Sequence, residues 1–181
     1  MTDAPIIPST CPPELAIVVA MTRNRVIGRN GQLPWDLPAD RQLFRRLTLG
    51  NTVIMGRLTF ASLAAALPDR HNLVVSRSCR QLPGATVCAT LDDALAVAGR
   101  LGRPTFIVGG SGLYRQALTI ADTLHVSWIA GDYPGDRYFP PFDQTAWQAV
   151  AATSYPGFEY VVYRRRAQIG RPARPVAANC G

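Results

Sequence analysis

The apolar positions fall into short continuous runs separated by helical stripes, and this alternation predicts the architecture. Leu15–Ala20 is an unbroken apolar run rich in Ile and Val, the pattern of a central strand buried on both faces. A polar loop with Gly28 and Gly31 follows and ends in Leu33-Pro34-Trp35. In the next segment, DLPADRQLFRRLTLG, Pro38 suits a first helical turn. Leu43, Phe44 and Leu47 supply one apolar face there, and Gly50 ends the helix. Asn51–Met55 predicts a strand broken at Gly56, and Arg57–Ala65 a short helix. Short strands are predicted at Leu73–Val75 and Ala85–Cys88, on either side of a Pro83-Gly84 turn. Leu91–Ala98 is helical in pattern, with Asp92 and Asp93 near its positive end. Thr105–Val108 predicts a buried strand, and Gly109-Gly110-Ser111-Gly112 leads into a helix carrying Leu113, Tyr114 and Leu118. Thr123–Ile129, Trp147–Thr153 and Phe158–Arg165 read as closing strands, the last two pairing as a long-looped hairpin.

Strands alternating with helices predict an α/β fold with a mostly parallel central sheet and helices on both faces. Consecutive strands at the end add an antiparallel C-terminal edge. Ligands of such sheets bind at the carboxyl ends of the strands. That brings Asp40, Arg57, Arg77 and the 109–112 glycine cluster near one rim. Residues 1–13 hold four prolines and no periodicity, and 167–181 carry Gly170, Pro172 and Pro175. These segments are expected to be an N-terminal extension and a flexible tail around one folded body, 14–166.

Composition narrows the chemistry. With 48% hydrophobic residues the chain can bury a substantial core. All 19 basic residues are arginine, which excludes a lysine Schiff base. The net charge of +7 attracts anions, whether nucleic acid, phosphorylated cofactor or polycarboxylate. No nucleic-acid motif accompanies it. Cys11, Cys79, Cys88 and Cys180 form no CxxC, and His71 and His125 are too few for a zinc site, so no metal is expected. The apolar stretch at Leu15–Met21 is too short to span a membrane, and a reduced cytoplasmic protein is the simplest expectation.

Four features could carry chemistry. VGGSG lies between a strand and a helix, where close backbone approach and free N–H groups suit phosphate, although a tight packing turn would look the same. Asp40 shares a helical stripe with Phe44 and Leu47. It either stabilises the helix N-terminus or faces a cleft, where a carboxylate can grip an amidine-like N–C–N edge by paired hydrogen bonds. Trp35 either anchors a loop or caps a pocket, its indole N–H holding water. Arg57 and Arg77 each follow a strand, and two guanidinium groups beside a glycine turn suit a phosphate monoester.

The segments AMTRNRVIGRNGQLPWDLPAD, FRRLTLGNTVIMGRLTFASL, LPDRHNLVVSR, FIVGGSGLY and GDRYFP occur in this order across 14–166. In order and spacing the chain resembles the dihydrofolate reductase family, bacterial type. The resemblance implies that NADPH reduces 7,8-dihydrofolate to 5,6,7,8-tetrahydrofolate, by hydride transfer to C6 and protonation at N5. It implies that Asp40 binds the pterin 2-amino group and N3, with Trp35 holding water near it. Ser127 would bond Asp40 or the pterin where relatives usually carry threonine. Phe44, Leu33, Leu63 and Leu67 would line the cleft. The backbone at Val19 and Val108 would face the pterin edge, and Arg70 would clamp the glutamate α-carboxylate.

For the cofactor, the resemblance implies Ala20, Ile27 and Gly28 near the nicotinamide. Gly56, Leu58 and Thr59 would flank the pyrophosphate, and Gly109, Gly110, Ser111, Gly112 and Leu113 would form its turn, typically with a cis peptide. Arg57, Ser76 and Arg77 would bind the 2′-phosphate. Tyr114 would lie close to the reacting rings, and the Gly28–Trp35 loop would be a lid. Arg41 stands where many relatives carry an apolar residue. There it is either a solvated helix arginine or a side chain that would reach over the pocket mouth, attract the glutamate tail and reduce sensitivity to small diaminopyrimidine inhibitors such as trimethoprim. The resemblance implies a monomer, although an apolar sheet edge could pair two copies. The nearest rival is a reductase domain of riboflavin synthesis, which PWDLPAD and Arg70 disfavour. A nucleic-acid-binding role is a more distant alternative.

Overall fold

Alternate residues of the central strand serve two different cores, and this decides which helices cover which face. A computed structural model describes residues 14–166. The expected extension 1–13 and tail 167–181 lie outside the described residues. In β1 (Leu15–Thr22), Leu15, Ile17, Val19 and Met21 enter one core, while Ala16 and Val18 enter a second. A strand buried on both faces has no polar side to present, which is why the run reads as continuously apolar.

The chain then forms β2 (Val26–Gly28), α1 (Pro38–Thr48), β3 (Thr52–Gly56), α2 (Arg57–Ala61), β4 (His71–Val75), β5 (Thr86–Cys88) and α3 (Leu91–Leu101). After them come β6 (Thr105–Gly109), α4 (Ser111–Ala117), β7 (Thr123–Ile129), β8 (Arg137–Tyr138), β9 (Trp147–Tyr155) and β10 (Phe158–Arg165). The main sheet has the order β5-β4-β3-β6-β1-β7-β10-β9. Its first six strands are parallel, and β10 and β9 complete it antiparallel. The chain leaves β1 for β3, works outward to β5, returns as β6 and crosses to β7. This reversal beside β1 opens a crevice at the strands' carboxyl ends.

Helices α3 and α4 bury Leu91, Ala94, Ala98, Leu113, Tyr114 and Ala117 against the first face. α3 starts at a capping box, with Thr90 and Asp93 exchanging side-chain and backbone hydrogen bonds, and stops at Gly102 with φ 63°. Helix α1 covers the opposite face through Leu43, packed with Val26, Trp35, Ile129 and Phe158.

Three local expectations are corrected. The helix after β3 ends at Ala61 rather than Ala65. Ser62 folds its hydroxyl back onto the Thr59 carbonyl at 2.7 Å, closing the last turn. The final hairpin is tight, not long-looped: only Pro156 and Gly157 separate β9 from β10, with Gly157 at φ 86°. The loop before Trp35 is not wholly irregular. Its β2 pairs antiparallel with β8, a partner more than 100 residues away that no local pattern announces.

That ribbon depends on Gly135. A Cβ there would meet Val26 Cγ1 at 2.3 Å and the Gly28 carbonyl at 2.8 Å. Gly135→Val is therefore expected to push β2 and β8 apart and cost about 1–3 kcal/mol, the usual range for overpacking. Urea denaturation measures it, and an unchanged midpoint would contradict this packing.

Candidate functional site

Helix α1 brings Asp40 into a buried position because its apolar stripe turns that face inward. The carboxylate sits in the first helical turn but caps nothing: the N-cap, Leu37, receives no side-chain hydrogen bond. Asp40 is 9% exposed. Burial raises its carboxyl above the ordinary carboxylate value, offset in part by a hydrogen bond from the Ser127 hydroxyl and by the charge of Arg41. A buried carboxylate with one hydroxyl partner has spare acceptor capacity on its oxygens. Trp35 lies nearby in the same core, edge-on to Tyr133 at 5.5 Å, and its Nε1–H is buried with no protein partner. A buried donor of this kind calls for a water or a ligand acceptor.

These groups open on a cleft of about 1850 Å³ running along the carboxyl ends of the strands. Single small-molecule pockets are usually ~300–1,000 Å³. This one has room for two ligands side by side. Every site residue expected from the sequence lines it. Those expected at the substrate are Val19, Ala20, Leu33, Trp35, Asp40, Arg41, Phe44, Leu63, Leu67, Arg70, Val108 and Ser127. Those expected at the cofactor are Ile27, Gly28, Gly56, Arg57, Leu58, Thr59, Ser76, Arg77, Gly109, Gly110, Ser111, Gly112, Leu113 and Tyr114.

The geometry refines what several of them can offer. Tyr114 is buried, and its hydroxyl donates to the Val18 carbonyl at 3.0 Å. Burial pushes its phenol well above the ordinary value, so it presents a fixed wall rather than an exchangeable proton. The carbonyl engaged in this corner is that of Val18, while the Val19 side chain packs in the same core as Tyr114. Arg41 is largely exposed and paired with Asp36. Its charge is thus shared with the end of the preceding loop, a tie absent from the sequence reading.

At the far end, Gly109 and Gly110 are joined by a cis peptide bond. Gly109 has φ 139°, and a Cβ there would lie 3.0 Å from Thr59 Oγ1. Only glycine allows α2 and this turn to approach so closely. Gly112 faces open space. The Ser111 hydroxyl donates to the Tyr138 carbonyl at 2.7 Å, tying the turn to the β2–β8 ribbon. The Ser76 oxygen accepts the N–H groups of Ser78 (3.3 Å) and Cys79 (3.0 Å). That leaves its own O–H to donate into the cleft, which the exposed Arg57 and Arg77 also line.

Arg70 lies over the Phe44 ring at 6.0 Å. Its Nη1 donates to the Pro68 carbonyl at 3.2 Å, while its buried Nε has no partner. Burial, and then the neighbouring charge of Arg45, lower its pKa from the usual value; Asp69 offsets this in part. Two crowded cations with an unsatisfied N–H favour a bound anion.

Arg45, His125, Arg137 and Tyr160 also line the cleft, and the sequence reading did not include them. Strand alternation could have found His125, two residues before Ser127. Arg137 and Tyr160 depend on long-range register and carry no local signal. Among the described residues no group of three or more His, Cys, Asp or Glu could hold a metal.

Comparison with known proteins gives consistent results. A dihydrofolate reductase family model matches residues 14–165. The dihydrofolate reductase of Bacillus subtilis is 38% identical over 139 residues, 76% of this chain and 82% of that one. Dihydrofolate reductase type 3 of Salmonella typhimurium is 38% identical over 143 residues, 78% of this chain and 88% of that one. A dihydrofolate reductase structure from Enterococcus faecalis, complexed with NADP(H) and RAB-propyl, superposes with a TM-score of 0.80 at 31% identity, covering 85% of this chain and 97% of that one. With its fold, its cleft and its sequence in agreement over residues 14–165, this chain belongs to the dihydrofolate reductase family.

Proposed function

We propose that the chain reduces 7,8-dihydrofolate to 5,6,7,8-tetrahydrofolate with NADPH. The observation that carries this reading is the buried Asp40, bonded by Ser127, in an apolar slot that continues to the basic end at Arg57, Ser76 and Arg77. NADPH fits the residues present. The Gly109–Gly112 turn leaves room for a diphosphate, and the Ser76 hydroxyl and two arginines suit a 2′-phosphate. When bound, it supplies the hydride.

The chain's own residues do the rest. Asp40 accepts two N–H groups from the pterin's N–C–N edge, which orients the ring and draws positive character toward it. The unpartnered Trp35 N–H holds the water through which a proton reaches N5. Phe44, Leu63 and Leu67 exclude other water from the slot, and Leu33, half exposed, closes its outer edge. Arg70 takes the α-carboxylate of the glutamate tail, relieving its crowding with Arg45. The lid loop is braced by Asn30 N–H on Asp136 Oδ2 at 3.2 Å and Asp136 N–H on the Gly28 carbonyl at 3.0 Å. Few bonds need break for it to open.

Spectrophotometric NADPH oxidation tests the assignment. Turnover with dihydrofolate, and none with the phosphorylated pyrimidine intermediate of riboflavin synthesis, is expected; the reverse preference would overturn it. A monomer acting in a reducing cytoplasm accompanies this reading. Cys79 and Cys88 are free, and no helix among the described residues is long and apolar enough to cross a membrane.

The finer reading concerns Arg41. Its pair with Asp36 is exposed, and such pairs are weak, so the guanidinium can turn toward an incoming glutamate tail. A small diaminopyrimidine such as trimethoprim has no carboxylate to repay that movement, and it meets a polar rather than an apolar wall. Arg41→Leu is expected to tighten trimethoprim inhibition about tenfold, the worth of one modest charged contact. Inhibition titrations of both forms check this, and equal constants would remove Arg41 from the explanation.

A further inference from the structure

Six arginines line the cleft, and the proposed reduction engages five of them: Arg41, Arg45 and Arg70 toward the glutamate tail, Arg57 and Arg77 toward the 2′-phosphate. The sixth, Arg137, has no role there. It stands on β8 directly opposite Gly28 of β2. The register slips between Val26 and Gly28, where β2 takes two steps for one step of β8, so Gly28 rather than Ile27 faces it. An extra residue of this kind re-aims the side chains around it. With no side chain at Gly28, the Arg137 stem lies across it: a Cβ there would meet Arg137 Cβ at 3.5 Å and Cγ at 3.8 Å. Strand alternation sends Tyr138 the other way, and its phenol donates to the Gly135 carbonyl at 2.9 Å. Arg137 therefore lines the cleft, and Tyr138 does not.

We propose that Arg137 is a cofactor-binding residue: carried on the β2–β8 ribbon, it supplies the positive charge for a diphosphate held by the Gly109–Gly112 turn. This rests on the NADPH reading of the cleft and adds a residue to it. A diphosphate is doubly charged, and the turn has no cation of its own. It offers backbone and the Ser111 hydroxyl, whose proton is committed to the Tyr138 carbonyl at 2.7 Å. At Gly112 a Cβ would meet open space, so no side chain of the turn occupies it. The Ser111 bond seats β8 against the turn, and Arg137 is the residue next to Tyr138, one Cα spacing of about 3.8 Å away. Its guanidinium is exposed and belongs to neither of the two ion pairs among the described residues, Arg23–Glu159 and Arg41–Asp36. Its one hydrogen bond there runs from Nη1 to the Asp136 carbonyl at 3.2 Å. A guanidinium has five N–H donors in a planar fork, and the fork takes a phosphate by two parallel hydrogen bonds. The Asp136 carboxylate is bonded instead by the Asn30 N–H, through Oδ2 at 3.2 Å.

Fluorescence titrations at fixed salt read dissociation constants for the wild type, Arg137→Gln and Arg137→Lys, without turnover. Glutamine keeps the Cβ and Cγ that pack over Gly28, so the ribbon and the urea midpoint should hold. In Arg137→Gln the Kd for NADPH and the Kd for NADH are each expected to rise about tenfold, the lower end for one charged hydrogen bond at an exposed position. The two dinucleotides lose alike because both carry the diphosphate. Adenosine 2′-monophosphate, which lacks it, should bind as before. Arg137→Lys keeps the charge and should recover part of the loss, and raised salt should narrow the gap between wild type and Arg137→Gln. An unchanged NADPH constant in Arg137→Gln, a loss confined to NADPH, or an equal loss with adenosine 2′-monophosphate overturns the proposal. A lowered urea midpoint does so too, by giving Arg137 a structural role. A wild type that binds neither dinucleotide would instead overturn the reading of the cleft as a dinucleotide site, and this inference with it.

Discussion

Asp40→Asn is expected to lower kcat/KM for dihydrofolate by about 10²–10⁴-fold, the range for a positioned acid–base group, and to stabilise the folded protein at neutral pH. Asparagine is nearly isosteric, so the slot keeps its shape. What is lost is the charge and one of two acceptors facing the pterin edge. The stability effect has the opposite sign because burial raises the Asp40 carboxyl above its value in the unfolded chain. A group raised on folding contributes stability that is fully present below its unfolded pKa and is lost as pH rises through the folded pKa. At pH 7 the ionised carboxylate therefore opposes folding, and removing it should raise the urea midpoint. The advantage of the variant should shrink as pH falls through the Asp40 titration. Steady-state kinetics and urea midpoints at several pH values check both halves. Loss of activity together with loss of stability at pH 7 would mean that Asp40 supports the fold rather than the site.

The second large effect concerns the cofactor. Arg57→Ala combined with Arg77→Ala is expected to raise the KM for NADPH about 100-fold or more, while NADH changes little. A charged hydrogen bond contributes about 1.5–3 kcal/mol, and each 1.4 kcal/mol is a factor of ten. Both arginines are exposed and follow strand ends, so the lower part of that range applies and the core is untouched. Ser76 remains in the double variant, its loop still turned by the Ser78 and Cys79 N–H groups. Residual NADPH preference should therefore survive, and the Arg57→Ala and Arg77→Ala single variants divide the rest. Equal losses with NADPH and NADH would move these arginines from the 2′-phosphate to a group that the two cofactors share.

The two variants probe opposite ends of one cleft, and the fold explains why they should act independently. Asp40 depends on α1 and on its Ser127 bond across to β7, whereas Arg57 and Arg77 follow β3 and β4 on the other side of β1. Sites this far apart with no shared partner usually give additive effects. The β2–β8 ribbon is the element that touches both ends. It carries Gly28 of the lid, and the Tyr138 carbonyl accepts from Ser111 in the glycine turn. Gly135→Val should thus disturb both ends together.

Elements whose cause is local were legible in the order of residues alone. Leu15–Ala20 is buried on both faces, Pro38 and the Leu43–Phe44–Leu47 stripe make α1, and Gly109 permits a turn that a side chain would block. The ordered motifs then identified the family and nominated residues that the fold gathers into one cleft. Register and reach across the chain were decided only by tertiary structure. The pairing of β2 with β8 joins segments more than 100 residues apart, and the contact of Tyr160 with His125 follows from one particular alignment of β10 on β7. Whether Asp40 caps its helix or faces a cleft was open until Ser127 was brought to it from another strand. The physical reason is the same in each case. Periodicity records which face of an element is dry, but which atoms meet across that face depends on strand order and register, and these come from the free energy of the whole packed chain.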